Sequence, residues 1–271
     1  MYDAVDYVRM PELPEVEMAR RFVEERLIGR RVASLDVKDG KMLANASERS
    51  MKNVFIGNTV DDAYRHGKNL LVKIGDHHLH IHLGMSGSLH LVNDRENTSH
   101  ERFRLGLDEG ALVLDDPRRF GRFGIYHRIE DLIMEKELGP DALTVPEKVF
   151  VSRLEGRRGS IKPLLLDQSI IAGVGNLYAD EALFQERLHP ATRADSLSIT
   201  EMARLGKRIR KVLDASITVR TELSRLPEGF LLRDRREGAP CPRCATALMA
   251  IRIGGRTTIL CPACQSQRAK Q

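Results

Sequence analysis

Cys241-Pro242-Arg243-Cys244, sixteen residues, and then Cys261-Pro262-Ala263-Cys264 constrain the end of this chain more tightly than any other feature constrains the rest. Two CxxC knuckles present four thiolates in the tetrahedral set that zinc prefers. Four protein ligands leave no open coordination position, so the pattern predicts one structural zinc ion rather than a catalytic one. No other cysteine occurs in the 271 residues, which argues against a disulfide scaffold. Between the knuckles, LMAIRIGGRTTIL reads as a β-hairpin whose Gly254-Gly255 turn puts Arg256 at the tip. A metal-stapled finger offering one arginine is shaped for a DNA groove, and a solvated turn residue is the plainer alternative for Arg256.

Charge points the same way without deciding it. Residues 200–271 carry 15 Lys/Arg against 6 Asp/Glu, a net +9, while the whole chain is only +5, which leaves about −4 for residues 1–199. Such a C-terminal positive field suits a polyanion, and its excess of Arg over Lys favours bidentate phosphate contacts; a solvated basic helix around Arg204-Arg208 would look the same. No run of eighteen apolar residues occurs, and residues 1–10 lack the cationic start and apolar core of a secretory signal, so a cytoplasmic protein is expected.

The hydrophobic pattern divides the chain. Leu13, Val16, Ala19, Val23 and Leu27 recur at helical steps, predicting one helix from about Pro14 to Ile28 that Gly29 stops. From Arg31 to about Arg128 short β-rich runs follow (RVASLDV, NVFIGNTV, NLLVKI, HLHIHL, GSLHLV, FRLGL, ALVLDD, GRFGIYH), and no helical pattern separates them, so they predict antiparallel strands in a sandwich or barrel. After Glu130 the helical period returns in DLIMEKELGP, EKVFVSRLEG, IKPLLLDQSIIAG, LYADEALFQERL and TEMARLGKRIRKVLDASI, with a linker near Leu138 to Glu147. The fold class expected is α+β.

Three further stretches carry chemistry. Ile171-Ala172-Gly173-Val174-Gly175-Asn176 lies between helical segments, where two glycines let backbone N–H groups and the Asn176 amide approach a phosphate; a structural turn is the simpler alternative. Asp116-Pro117-Arg118-Arg119-Phe120-Gly121-Arg122 sets three arginines around one Phe, the composition of a loop that grips backbone and pushes a ring between bases, unless Phe120 folds back into the core. Met85, in Gly84-Met85-Ser86-Gly87, is either core or a second wedge. The row His78, His80 and His82 shares one face of a strand, but side chains in line along a strand seldom converge on one ion, so no metal is assigned to it.

Taken in order, PELPEVE (11–17), Lys68 in RHGKNLL, HLGMSGSL (82–89), DPRRFG (116–121), IKPLLLDQSIIAGVGNLYADEALF (161–184) and CPRC…CPACQ (241–265) closely resemble the formamidopyrimidine-DNA glycosylase family, a group that includes endonuclease VIII. The resemblance runs from Met10 to Gln265. It implies an N-terminal antiparallel β-sandwich with a leading helix (11–138), a helix-two-turn-helix domain (147–235) and a zinc finger (236–271), with damaged DNA bound between the halves by a monomer. It also implies base-excision repair by a bifunctional DNA glycosylase and AP lyase that removes oxidised bases of the formamidopyrimidine or 8-oxoguanine type, in the cytoplasm at the nucleoid. Pro11 resembles the N-terminal nucleophile that attacks C1′ and forms an iminium; Glu12 resembles the carboxylate that moves protons at the sugar; Glu15 resembles a second carboxylate of the motif; and Lys68 matches a lysine that contacts phosphate beside the lesion. Met85, Arg118 and Phe120 resemble the residues that fill the gap left by a flipped base, and Lys162, Asn176 and Arg256 resemble phosphate-binding residues.

The chain departs from the family twice. Residues 1–10 precede Pro11, and in the peptide Met10-Pro11 the proline nitrogen is an amide, whose delocalised lone pair cannot form an iminium; an active form beginning at Pro11 is therefore expected. Between Ile217 and Pro240 the chain is shorter than many members in the region that covers 8-oxoguanine. The alternatives are a damaged-DNA-binding protein without lyase activity if the leader is kept, and an endonuclease VIII-like enzyme for oxidised pyrimidines.

Overall fold

The computed structural model describes residues 3–5, 10–93 and 96–267. The chain divides into two units after Lys136.

In the first unit the stripe Val16, Ala19, Val23 forms the buried face of α1 (Leu13–Arg26). Pro14 falls in the first turn, where its missing N–H is not needed. Leu27 is the C-cap, and Gly29 takes φ +85°, so the helix ends just short of the expected Ile28.

Two antiparallel sheets face each other. One has the order β1 (Asp3–Val5), β6 (Ser88–Val92), β8 (Ala111–Asp115), β7 (Glu101–Leu107), β2 (Val32–Val37). The other has the order β3 (Val60–His66), β4 (Asn69–Ile74), β5 (His77–His82), β9 (Arg122–Tyr126). Leu35, Leu89, Phe103, Leu105 and Leu114 from the first and Val60, Leu70, Val72, Ile81 and Phe123 from the second interdigitate with α1 in one core. The expected sandwich is present. β4 lacks the period of two because both its faces are covered: Leu71 points away from the core, against Tyr126 and against Leu132 of α3 (Ile129–Glu135).

One expected strand is not a strand. NVFIGNTV begins as the last turn of α2 (Glu48–Phe55), which Ser47 caps by accepting from Ser50 N–H at 3.1 Å. Met51 and Phe55, four apart, are its buried residues, so the capping box and the helical period outweigh the β-propensity of Val54 and Phe55. The strand that follows, β3, is polar along much of its length and starts only at Val60.

The second unit contains α4 (Glu147–Leu154), α5 (Ile161–Leu166), α6 (Asn176–Gln185), α7 (Ile199–Thr218) and the hairpin β10 (Met249–Ile253) with β11 (Arg256–Leu260). IKPLLLDQSIIAG is helical only to Leu166, because Asp167 turns its carboxylate onto Ser169 N–H at 2.9 Å. The segment expected as a linker packs within this unit: Gly139 N–H donates to Gln168 O at 2.8 Å and Ala142 N–H to Ala172 O at 2.9 Å. No helix among the described residues is long and apolar enough to cross a membrane.

Candidate active site and nucleic-acid interface

Pro11 is buried immediately before α1, and Glu12 is the helix N-cap. The Glu12 N–H donates to Glu15 Oε2 at 2.9 Å, closing a capping box in which both carboxylates are almost fully buried. The helix start thereby fixes two carboxyl groups within one turn of the proline. Glu17 anchors the same turn: its oxygens lie 3.0 Å from Arg21 Nε, 3.1 Å from Arg20 Nη2 and 3.1 Å from Arg65 Nε on β3. Burial by itself would raise the Glu17 pKa, but the guanidiniums outweigh it and hold the carboxyl below its ordinary value.

Lys68 occupies the two-residue turn between His66 and Asn69, the last pair of the β3–β4 ladder, and Gly67 beside it takes φ +56°. Arg65 Nη1, donating to Gly67 O at 3.1 Å, ties this turn to the Glu17 cluster and so to α1.

Met85, Arg118 and Phe120 are brought together by a residue the sequence reading did not select. Asp116 is fully buried; its Oδ1 accepts from Ser86 Oγ at 2.5 Å and from Arg118 N–H at 3.2 Å, and its Oδ2 accepts from Gly121 N–H at 2.8 Å. One carboxylate thus fastens the loop carrying Met85 to the loop carrying Arg118 and Phe120. The backbones meet at Gly84, where φ is +66° and an added Cβ would lie 2.5 Å from Phe120 C. Phe120 is 47% exposed, with the Arg118 guanidinium 5.0 Å from its ring centroid, so it does not fold into the core. Arg119 pairs with Asp39 and serves the loop's posture. The signal for Asp116 lay in its place at the head of the turn Asp116-Pro117-Arg118-Arg119, a usual station for a carboxylate that accepts main-chain N–H groups.

The histidine row has separate partners. His78 Nδ1 lies 3.1 Å from His127 O, His80 Nε2 lies 2.9 Å from Asn69 Oδ1, and His82 Nδ1 accepts from Gly84 N–H at 3.1 Å. Among the described residues the only His, Cys, Asp or Glu group able to hold a metal is the four-cysteine cluster.

In the second unit Lys162 has a different position from the one its resemblance implied. It is fully buried, with Nζ 2.6 Å from Asp180 Oδ1 and donating to Thr258 Oγ1 at 2.7 Å. An ammonium sealed in this way offers no surface to a phosphate, and the expected contact is corrected on that ground. Asp180 Oδ2 also accepts from Arg235 Nε at 2.9 Å and from Ile259 N–H at 3.0 Å. Lys162, Asp180 and Arg235 therefore staple α5 and α6 to the hairpin, a function invisible in the sequence because the partners lie 18 to 96 positions apart. Asn176, at the start of α6, donates from Nδ2 to Thr257 O at 3.0 Å, so it stands against the hairpin strand that Arg256 opens. Arg256 itself is exposed. Gln168 sets the glycine turn before Asn176, accepting from Gly173 N–H at 2.9 Å and donating to Val174 O at 3.0 Å. Between residues 217 and 240, where the chain is shorter than many members, Leu226, Leu231 and Leu232 are buried, and Leu232 N–H donates to Glu181 Oε2 at 2.8 Å.

The four Sγ atoms lie within 4.8 Å of one another, with Cys241–Cys264 at 3.9 Å and Cys244–Cys261 at 3.5 Å. A tetrahedral zinc with bonds of about 2.3 Å spaces its sulfurs about 3.8 Å apart, so the residues fit one structural zinc ion. Arg243 and Cys264 N–H groups point at Cys241 and Cys261 Sγ at 3.4 Å each, the second-sphere donors a thiolate site needs.

A β-sandwich opened by a capped proline, a helical unit with a glycine turn before Asn176 and a zinc-stapled hairpin together define a DNA-processing enzyme of the sandwich, helix-two-turn-helix and finger type. The comparisons specify it further. Residues 10–123 match the formamidopyrimidine-DNA glycosylase N-terminal domain, 138–227 the helix-two-turn-helix domain of the same enzymes, and 238–267 the zinc finger found in them and in isoleucyl-tRNA synthetases. A formamidopyrimidine-DNA glycosylase of Streptococcus thermophilus is 37% identical over 274 residues, covering 95% of this chain and all of that protein, and one of Herpetosiphon aurantiacus is 36% identical with the same coverage. A solved structure of a Lactococcus lactis variant with DNA containing Fapy-dG superposes with a TM-score of 0.86 at 30% identity, covering 95% of this chain and all of that one. The chain belongs to the formamidopyrimidine-DNA glycosylase family, enzymes of base-excision repair with DNA glycosylase and AP lyase activity.

Proposed function

We propose that this enzyme excises oxidised bases of the formamidopyrimidine and 8-oxoguanine type from duplex DNA, and cuts abasic sites, through a covalent intermediate at Pro11. The observation that carries this reading is the buried proline set directly before the Glu12–Glu15 capping box in a chain of this family. Relatives solved with DNA containing carbocyclic 8-oxo-G, Fapy-dG and an AP site support the substrate class.

The chemistry follows from the residue types. A free α-amino nitrogen has a pKa near 8, so a useful fraction is an unprotonated nucleophile near neutrality. It attacks C1′, the glycosidic bond breaks, and the base leaves with a proton; opening of the sugar ring then yields an iminium. That cation draws electrons from C2′, whose proton can be lost with departure of the 3′-phosphate, and a second elimination releases the 5′-phosphate. Glu12 is the proton carrier at the sugar, and Glu15 holds its backbone. Lys68 binds the phosphate beside the lesion. Met85, Arg118 and Phe120 fill the space of the extruded base, offsetting part of the few kcal/mol that unstacking costs. Asn176 and Arg256 bind phosphates further along. The enzyme acts as a monomer on chromosomal DNA in the cytoplasm.

The amine must be free, so the active form begins at Pro11. A second reading has one observation in its favour: Asp3–Val5 pair with β6, so a chain that keeps its leader has that segment laid along the sheet edge and would be a damage-binding protein without lyase activity. Single-turnover excision on 8-oxoguanine, Fapy-guanine and abasic duplexes with borohydride trapping tests the first reading. A protein beginning at Pro11 is expected to form a covalent complex, and its failure on every duplex would remove the proposal.

A further inference from the structure

His80 is an odd choice for its place. It is fully buried on the outer face of the second sheet, paired across the strands with Leu71 and set edge-to-face on Tyr126 at 5.5 Å. Burial keeps the ring neutral and pushes its pKa down to about 3. Its Nδ1 has no partner. A buried unsatisfied ring nitrogen costs stability, and an apolar side chain beside Leu71, Tyr126 and Leu132 would avoid that cost. What the imidazole supplies instead is one N–H, from Nε2 to Asn69 Oδ1 at 2.9 Å.

Asn69 is buried at the foot of the Lys68 turn, and its Nδ2 donates to His66 O at 3.1 Å, bracing the turn from within. An asparagine amide is nearly symmetrical in shape, so its orientation depends on which neighbour donates and which accepts. The His80 N–H fills the donor's place and forces Oδ1 towards β5, which turns Nδ2 towards the His66 carbonyl. An aliphatic side chain at position 80 would leave the amide free to rotate and the turn unbraced.

We propose that His80 is a positioning residue for Lys68, acting through Asn69 to hold the His66–Asn69 turn in the conformation that presents the lysine. This inference rests on the reading of Lys68 as a phosphate contact beside the lesion. It assigns a role to the one motif, HHLHIH, that the reaction otherwise leaves without one at its centre.

Single-turnover excision by protein beginning at Pro11 tests it, using His80→Leu, His80→Gln, Asn69→Leu and Lys68→Ala, with His80→Leu also placed in the Lys68→Ala background. His80→Leu should slow excision about 10-fold, since small misplacements of a positioned group carry losses of this order, while its melting temperature changes little, because the unpaired Nδ1 it removes offsets the Asn69 Oδ1 it leaves without a donor. His80→Gln, which keeps an N–H donor, should recover most of the rate, and Asn69→Leu should match His80→Leu. In the Lys68→Ala background His80→Leu should have no further effect. Equal slowing in both backgrounds, an unchanged rate for both His80→Leu and Asn69→Leu, or His80→Gln as slow as His80→Leu would overturn the relay and leave Lys68 in its role. A wild-type rate for Lys68→Ala would instead overturn the reading of Lys68, and the inference with it.

Discussion

The two units bury polar groups to different ends. In the first, the buried carboxylates and amide of Glu15, Asp116 and Asn69 spend their hydrogen bonds largely on main-chain groups of segments that carry candidate contact residues. In the second, Lys162, Asp180 and Arg235 spend theirs mainly on one another and on the hairpin, joining helix to finger. Phe120 and Arg256, two of the candidate contact residues, stand in solvent. Apart from Pro11 and Glu12, which are buried and stand at the proposed reaction centre, burial of polar groups in this protein goes with setting posture.

The largest test of that contrast is Asp180→Ala. It strands a buried ammonium and a nearly buried guanidinium, and the second unit should lose about 3–5 kcal/mol in denaturant unfolding. A loss under 1 kcal/mol would mean the staple is ornamental. Acid should act next, and on the first unit. A histidine in the unfolded chain takes its proton near pH 6.5, whereas folded His80 stays neutral to about pH 3. The unfolded state then binds more protons, so stability present above pH 6.5 falls with pH, by about 2 kcal/mol at pH 5 for this group alone. His80→Leu should flatten the slope by that amount, and an unaltered slope would contradict the burial argument.

Asp116→Ala follows. It removes the shared acceptor of two loops and should cost about 1–3 kcal/mol, with a larger proportional loss in base excision than in melting temperature. Equal losses would place Asp116 with the scaffold rather than the site. Arg256→Ala is the smallest: stability unchanged, binding weakened alike for all lesions, and the slope of log affinity against log salt reduced by about one, as for a single phosphate contact. A lesion-dependent effect would show that the finger reads more than backbone.

What the sequence disclosed follows the same division. Motifs whose residues are neighbours in the chain were legible: the zinc knuckles, the helix starting near Pro14 and the loop around Phe120 all stand where their spacing put them. Groups whose partners are distant were not. Lys162 reads as a basic residue suited to phosphate until Asp180 and Thr258 enclose it, and nothing local announces that. NVFIGNTV reads as a strand until Ser47, six residues upstream, caps a helix through it. Asp116 drew no role of its own at the head of its loop, and Gln168 fell inside a stretch with helical pattern, because their main-chain partners appear only once the loops close.

A covalent intermediate at Pro11 requires a free proline nitrogen. Peptide mapping of the borohydride-trapped complex, made in parallel from protein beginning at Pro11 and from protein that retains Met1, addresses this most directly. The prediction is a DNA remnant on the N-terminal peptide, at Pro11, in the first preparation and no trapped complex in the second. An adduct formed at equal yield by the chain that keeps Met1, or one mapped to a lysine such as Lys68, would contradict it.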